Sequence, residues 1–441
     1  MYSRVLHILL SATALFLAAC SSDSSDVGRQ TVADSLAIAF DAVDSTLTRA
    51  SGDFNSVSEL KDEPNGIGIF ASYTGARRYF SSTVRPNFMT NQRAVWSAAS
   101  QQTGAWAYAP LKYWPNGEGE SLGNGQVEVA HMVSFFAYAP WSDLVTTSPT
   151  SHAPANCITR CSDTFDEGDP WLYYRIAGSN GSDPTSQQVD LLYAVCDYDY
   201  YGTTDGMCNI DLTKPDVAQH VHFIFHHALG CVGDMVTVSA ASDLQDDMMM
   251  YAGGYKKVEL VLFNVSIEYT LTAGALLSLW NREDAPNWQA DTENNVKTTR
   301  RVTLLDNPSG TGAFSIVPQA GGSGYTVSCE HWRDTGHGVF YIPVEGDDYV
   351  QSATVTVSYS LRYYTNEELT TYIDSPATPV VGTVNIPLRD YIATKEAHGR
   401  NLNMNLRITA GGDIVATIVV VNVEANPWVD KDPSDREVYN W

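Results

Sequence analysis

The sequence has few basic residues, with 26 Lys and Arg against 51 Asp and Glu, which gives a formal charge of −25 over 441 residues. Such a charge repels a phosphate backbone and provides none of the counterion release on which nucleic-acid binding depends. DNA and RNA are therefore excluded as partners. The acidity instead indicates a solvated, self-repelling surface of the kind that suits an extracellular protein.

The common catalytic and cofactor-binding motifs are absent. There is no Gly-x-Ser-x-Gly elbow, no His-Glu-x-x-His, no Gly-x-x-x-x-Gly-Lys and no dinucleotide fingerprint. His220 and His222 lie on one face of a predicted strand, but no Asp, Glu or Cys follows His222 within six residues. The stretch Asp197 to Asp205 begins like a calcium loop but lacks the bidentate Glu. We expect no enzymatic activity, no metal and no cofactor.

No hydrophobic run is long enough to span a membrane as a helix. The longest of the leader region, Val5 to Leu17, has 13 residues, follows Arg4, and is too short for about 30 Å of hydrocarbon. The Leu-Ala-Ala-Cys sequence that ends at Cys20 resembles a bacterial lipobox, in which the cysteine becomes acylated residue 1. We expect residues 1–19 to be a lipoprotein signal peptide, and palmitate and other acyl chains on Cys20 to anchor the precursor.

Cysteines are also few. If Cys20 is lipidated, six remain, which in an oxidising compartment permit up to three disulfides and 15 complete pairings. Their spacing matches no zinc module and does not select one pairing. The six are Cys157, Cys161, Cys196, Cys208, Cys231 and Cys329.

Apolar and polar residues alternate through much of the chain. Between Ala353 and Tyr363 the odd positions are mostly apolar and the even ones polar, which is typical of a half-buried antiparallel strand. Similar runs lie at 36–42, 129–138, 221–227, 258–269, 402–408 and 414–423, with Gly411 and Gly412 between the last two as in a hairpin. The pattern predicts an all-β protein of sandwiches, with a boundary near 239–254 that separates domains at 50–240 and 255–441.

Several motifs in the first half carry a resemblance as a set. In order they are Gly66-Ile-Gly-Ile-Phe-Ala71, Pro86-Asn-Phe-Met-Thr-Asn-Gln92, Trp106-Ala-Tyr-Ala-Pro-Leu-Lys-Tyr-Trp-Pro-Asn116, Val133-Ser-Phe-Phe-Ala-Tyr-Ala-Pro140 and Val221-His-Phe-Ile-Phe-His-His-Ala-Leu229. Their order and spacing, from the lipobox to about residue 230, resemble the fimbrillin family of Bacteroidales, the lipoprotein-derived pilins of type V pili. Beyond residue 230 only the strand-rich character agrees.

The resemblance implies two transthyretin-like, Greek-key β-sandwich domains, passage through the periplasm as a lipoprotein, and a place in a fimbrium on the outer membrane. It also implies that an arginine-specific protease removes an N-terminal segment, so that other fimbrial subunits can donate a strand. Residues 20–49 are the expected tether and leader strand, with cleavage between Arg49 and Ala50. Arg29 is the second candidate, and an ordinary surface role for Arg49 stays open. The vacated strand would carry Leu36, Ile38 and Phe40.

The donor strand is expected in the last 28 residues. The run 414–423 is apolar on both faces, as in a strand buried on both sides or inserted into a slot, and its candidates are Ile414, Ile418, Val419 and Val421. The same pattern also fits a strand of its own domain, and the shorter segment Glu437 to Trp441 is an alternative donor.

A binding protein is the alternative to a structural subunit. In that interpretation the chain is a monomeric surface lipoprotein or a fimbrial tip adhesin that recognises a host protein or glycan. Aromatic side chains that stack on sugars would form its platform, and the candidates are Trp106, Tyr108, Tyr113 and Trp114.

Overall fold

The alternating runs are strands in the computed structural model of the chain. It describes residues 36–44, 57–80, 82–98, 105–115, 131–143, 157–175, 189–196, 209–215, 218–272, 274–281, 286–290, 297–320, 324–329, 331–333, 340–343, 350–386, 401–410 and 414–421. None of the helices in these ranges is long and apolar enough to cross a bilayer.

Strands predominate, and the described residues contain only two short helices. In chain order the elements are β1 (Ala39–Asp44), α1 (Val57–Asp62), β2 (Ile67–Gly75), β3 (Met89–Ser97), β4 (Ala105–Tyr108), β5 (Met132–Ala139), β6 (Ile158–Cys161), β7 (Trp171–Arg175), β8 (Leu192–Ala194), β9 (His220–His227), β10 (Leu229–Ala240), α2 (Ser242–Ala252), β11 (Lys257–Thr272), β12 (Gly274–Ser278), β13 (Asn287–Ala290), β14 (Lys297–Pro318), β15 (Tyr325–Cys329), β16 (His331–Arg333), β17 (Phe340–Pro343), β18 (Val350–Tyr364), β19 (Tyr372–Ile386), β20 (Asn401–Ile408) and β21 (Ile414–Val421). The all-β fold class expected from the sequence is confirmed.

The strands form four sheets. The first has the order β1-β9-β8-β5-β2-β3-β4, and the second has the order β16-β10-β20-β21, with β17 also paired to β10. The third has the order β15-β14-β11-β18-β19, and the fourth β13-β12-β7-β6. Sheets two and four each combine strands from both sides of residues 240–255, and α2 lies at the expected boundary. The division at that boundary stays a prediction, and the strand pairing runs across it.

The centre of the first sheet is buried on both faces, which explains why β2 and β5 are almost continuously apolar rather than alternating. In β2, Ile69 packs into one core and Phe70 into the other. In β5, Phe135 and Phe136 divide in the same way. Two of the motifs that carry the resemblance, those at 66–71 and 133–140, therefore form core strands of this sheet.

A buried network of side-chain hydrogen bonds joins three of the motifs that carry the resemblance. Tyr138 lies across Gly68, where a Cβ would stand 2.1 Å from its ring, so only glycine fits. The Tyr138 hydroxyl donates to Asn91 Oδ1 at 2.7 Å, and Asn91 Nδ2 donates to the Ser142 carbonyl at 2.6 Å. These hydrogen bonds satisfy side chains that are fully buried, and they fix β2, β3 and β5 against one another.

Four of the cysteines are buried in the structure. Cys157, Cys161, Cys196 and Cys231 all lie inside the larger core. Burial raises the pKa of the Cys157 thiol to about 11, which keeps it in the unreactive protonated form at neutral pH.

Candidate leader-strand groove

The first described strand is the element that the sequence singled out as removable. β1 lies at one end of the first sheet and pairs in parallel with β9, so that Ala39 is opposite His220 and Asp44 is opposite Phe225. We call residues 36–44 the leader strand.

The leader strand also contacts the chain that follows β4, at the opposite end of the same sheet. The Ile38 N–H donates to the Lys112 carbonyl at 3.0 Å, and the Trp114 N–H donates to the Leu36 carbonyl at 2.9 Å. The Tyr108 hydroxyl of β4 lies 2.8 Å from the Ile38 carbonyl, and burial raises the pKa of Tyr108, so this phenol stays protonated and can donate. The leader strand thus closes the gap between the two ends of a curved sheet.

The side chains of the leader strand follow the predicted alternation. Ile38, Phe40 and Ala42 are buried in the smaller core. The Phe40 ring lies 5.3 Å from Tyr108, 5.7 Å from Phe135 and 5.6 Å from Phe223, between centroids. Removal of this strand would leave a row of unpaired backbone groups above an aromatic slot, because both neighbours of the strand lose their partner.

We expect Phe40→Ala to lower the free energy of unfolding of the uncut protein by about 3–5 kcal/mol, since the substitution empties the centre of this aromatic cluster. Urea denaturation measures the change. Phe165→Ala is the matched control, because Phe165 is 79% exposed and its loss should change stability by less than about 0.5 kcal/mol. Equal effects of the two substitutions would contradict the packing described here.

The polar face of the leader strand carries a charge contact that the sequence did not reveal. Asp41 lies opposite His222 in the register, with Oδ2 4.0 Å from Nδ1. Burial lowers the pKa of His222, and the Asp41 carboxylate opposes that shift. His227, the last residue of β9, meets a second carboxylate, with Nδ1 2.8 Å from Asp190.

These acids come from distant parts of the chain, which is why no spacing near the histidines could have indicated them.

Within the described ranges, no group of three or more His, Cys, Asp or Glu is arranged to hold a metal ion. The calcium-like stretch at 197–205 lies outside those ranges.

The candidate donor strand is an edge strand. β21 pairs antiparallel with β20, with Ile408 opposite Ile414 and Asn403 opposite Val419, which confirms the hairpin expected around Gly411 and Gly412. In the described part of the chain β21 has no strand on its other side. Detaching it would therefore break one ladder rather than two.

Several positions named from the sequence lie outside the described residues: the signal peptide 1–19, Cys20, Arg29, Arg49, Ala50, Cys208 and the alternative donor Glu437 to Trp441. The leader strand ends at Asp44, so Arg49 follows it by five positions in the sequence.

The aromatic residues considered as a sugar platform do not form an exposed surface. Trp106 and Trp114 are buried in the smaller core beside the leader strand. Tyr108 is half-buried against Phe40, which leaves Tyr113 as the exposed member, at 46%. These residues form a wall of the groove.

The fold and the groove define an all-β, multi-sheet protein whose first strand closes its first sheet. No protein-family profile matches the chain, and no curated protein matches it. Solved structures, by contrast, do match the chain. A fimbrial protein from Bacteroides vulgatus superimposes with a TM-score of 0.57 at 16% identity, covering 88% of this chain and 99% of that one.

Another similar structure is a candidate adhesin from Bacteroides thetaiotaomicron, with a TM-score of 0.36 at 9% identity, covering 88% of this chain and 97% of that one. A candidate cell adhesion protein from Bacteroides ovatus has a TM-score of 0.29 at 10% identity, covering 80% and 84%. The likeness to the fimbrial protein shows a shared fold, so the fold expected from the fimbrillin resemblance is confirmed.

Proposed function

We propose that this protein is a structural subunit of a cell-surface fimbria that supports adhesion. In this proposal it is exported as a lipoprotein through Cys20, cut after Arg49 by an arginine-specific protease, and joined to other subunits by donor-strand exchange. The observation that carries the proposal is the closure of the first sheet by the leader strand. A likeness of fold to a fimbrial protein supports it.

The geometry explains why cleavage would permit assembly. While the leader strand pairs with β9 and contacts Lys112 and Trp114, no other strand can enter. A donor that replaced it would gain the same backbone hydrogen bonds and would bury apolar side chains at roughly 1.5–3 kcal/mol each. Exchange is therefore favourable only after the covalent link to the leader strand is cut.

The mature N-terminus tests this proposal. Assembled protein from a Bacteroidales host should begin at Ala50, whereas its precursor should begin at an acylated Cys20, because proteolysis follows lipidation. Mass spectrometry of both forms measures this, and Cys20→Ala is the control that should carry no fatty acid. An acylated Cys20 on assembled surface protein would contradict the proposal and favour an anchored monomer or adhesin.

A further inference from the structure

The third sheet ends in a long, exposed edge strand. β19 pairs with β18 along one side, and in the part of the chain that the structure describes no strand is hydrogen-bonded to its other side, while β21 of the second sheet lies close to it. An edge of this kind presents alternate N–H and C=O groups to any strand that approaches.

The first half of β19 is protected against such pairing. Pro376 and Pro379 have no N–H to donate. Arg362 of β18 holds the strand through two hydrogen bonds to Asp374, at 2.6 and 2.9 Å, and its guanidinium lies over the Tyr372 ring at 4.0 Å. Prolines and fixed charges are the usual means by which proteins block sheet edges.

The second half has none of these features. Val380 to Ile386 reads Val-Val-Gly-Thr-Val-Asn-Ile, with no proline and no charge and with mostly β-prone residues. Val381 is 63% exposed, and Thr383 and Asn385 are also exposed on the same face. Within the described residues, this half of the edge therefore lacks the features that block pairing in the first half.

We propose that Val380 to Ile386 pairs with the same segment of a second copy, antiparallel and with a twofold axis at Thr383. That register places Thr383 against Thr383 and Val381 against Asn385 on the exposed face. It places Val380 against Ile386 and Gly382 against Val384 on the other face. Partners on each face are thus compatible, and the two five-stranded sheets become one continuous sheet of ten strands.

The absence of charge along this edge is compatible with a second copy as the partner. Two chains that each carry −25 repel each other over most of their surfaces. The segment 375–386 of β19 and the adjoining segment 350–361 of β18 contain no charged residue, so two copies can meet there without opposed like charges. A contact of seven residues per copy is small, and we expect a dissociation constant in about the micromolar range.

The test uses uncut Cys20→Ala protein, in which lipid and strand donation are both absent, so its result is independent of the proposed fimbrial assembly. Sedimentation velocity should show a monomer–dimer equilibrium. Val381→Lys should weaken it at least about tenfold, because two lysines would enter a neutral edge. Val327→Lys is the matched control, since Val327 is 49% exposed on β15 at the opposite edge of the same sheet, and it should leave the equilibrium unchanged.

A cysteine at position 383 tests the axis. Under mild oxidation, Thr383→Cys should give a disulfide dimer in which peptide mapping finds residue 383 of one copy bonded to residue 383 of the other. Val381→Cys should give no disulfide between the two copies of residue 381. The proposal would be overturned if the chain stays monomeric or if the dimer persists in Val381→Lys. A disulfide between the two copies of residue 381 in place of residue 383 would also overturn it.

Discussion

Arg49→Ala is expected to accumulate a longer, membrane-bound precursor and to abolish ladders of high-mass, SDS-resistant oligomers. The reason lies in the leader strand, which pairs with β9 on one side and contacts Lys112 and Trp114 on the other. A strand that stays covalently attached competes with any donor at a very high effective concentration. The measurement is electrophoresis of unheated samples from cells, followed by immunoblotting.

Two controls separate loss of cleavage from loss of folding. Arg49→Lys should behave like Arg49→Ala if the protease is specific for arginine, and Arg29→Ala should assemble normally, because a cut after residue 29 leaves the leader strand attached. Normal ladders from Arg49→Ala would mean that cleavage lies elsewhere or is unnecessary. Ladders lost in Arg29→Ala and kept in Arg49→Ala would move the cleavage site to residue 29.

Local patterns were sufficient to predict some of the strands, among them β1, β11 and β18, and the buried face of the leader. Alternation is a property of neighbouring residues, and it placed Ile38 and Phe40 inside correctly. It could not indicate that β1 pairs in parallel with β9, about 180 residues later in the sequence, or that Lys112 and Trp114 hold its other side. Those contacts depend on how the sheet curves, which no short window of sequence records.

Polar positions on buried strands were harder to predict. Alternation along β18 assigns Arg362 to a solvent face, yet this residue is only 6% exposed. Its charge is compensated by Asp374 on β19 and by the Ser309 carbonyl on β14. Gly310 leaves the space, since a Cβ there would stand 2.9 Å from the guanidinium. A buried charge of this kind is visible only once its partners from two other strands are known.

The domain boundary stays a prediction, and the strand pairing that crosses it could not be predicted, for a related reason. The boundary was placed near 239–254 because this stretch, which contains Asp, Met and Gly, separates runs of strand-like sequence. Residues 242–252 instead form α2, whose Leu244, Met248 and Ala252 are buried in the larger core. Their spacing of four residues is the helical signal in this stretch.

Strand donation makes the last and most specific prediction. Among the described residues β21 is an edge strand held by one neighbour, and its sequence is apolar on both faces, as a strand that enters a closed slot must be. The groove it would enter is lined by Tyr108, which contacts both the ring of Phe40 and the carbonyl of Ile38. We therefore expect a cysteine at Val419 to come close to a cysteine at Tyr108 of the next subunit.

Two singly substituted proteins, Tyr108→Cys and Val419→Cys, should be mixed after cleavage and treated with a short bismaleimide. Because each protein carries one added thiol, a 108–419 link identified by peptide mapping can form only between subunits. Uncut proteins should give no such link, since the leader strand still fills the groove. If Glu437→Cys links to Tyr108→Cys and Val419→Cys does not, then the segment Glu437 to Trp441 is the donor, and β21 remains paired with β20 in its own chain.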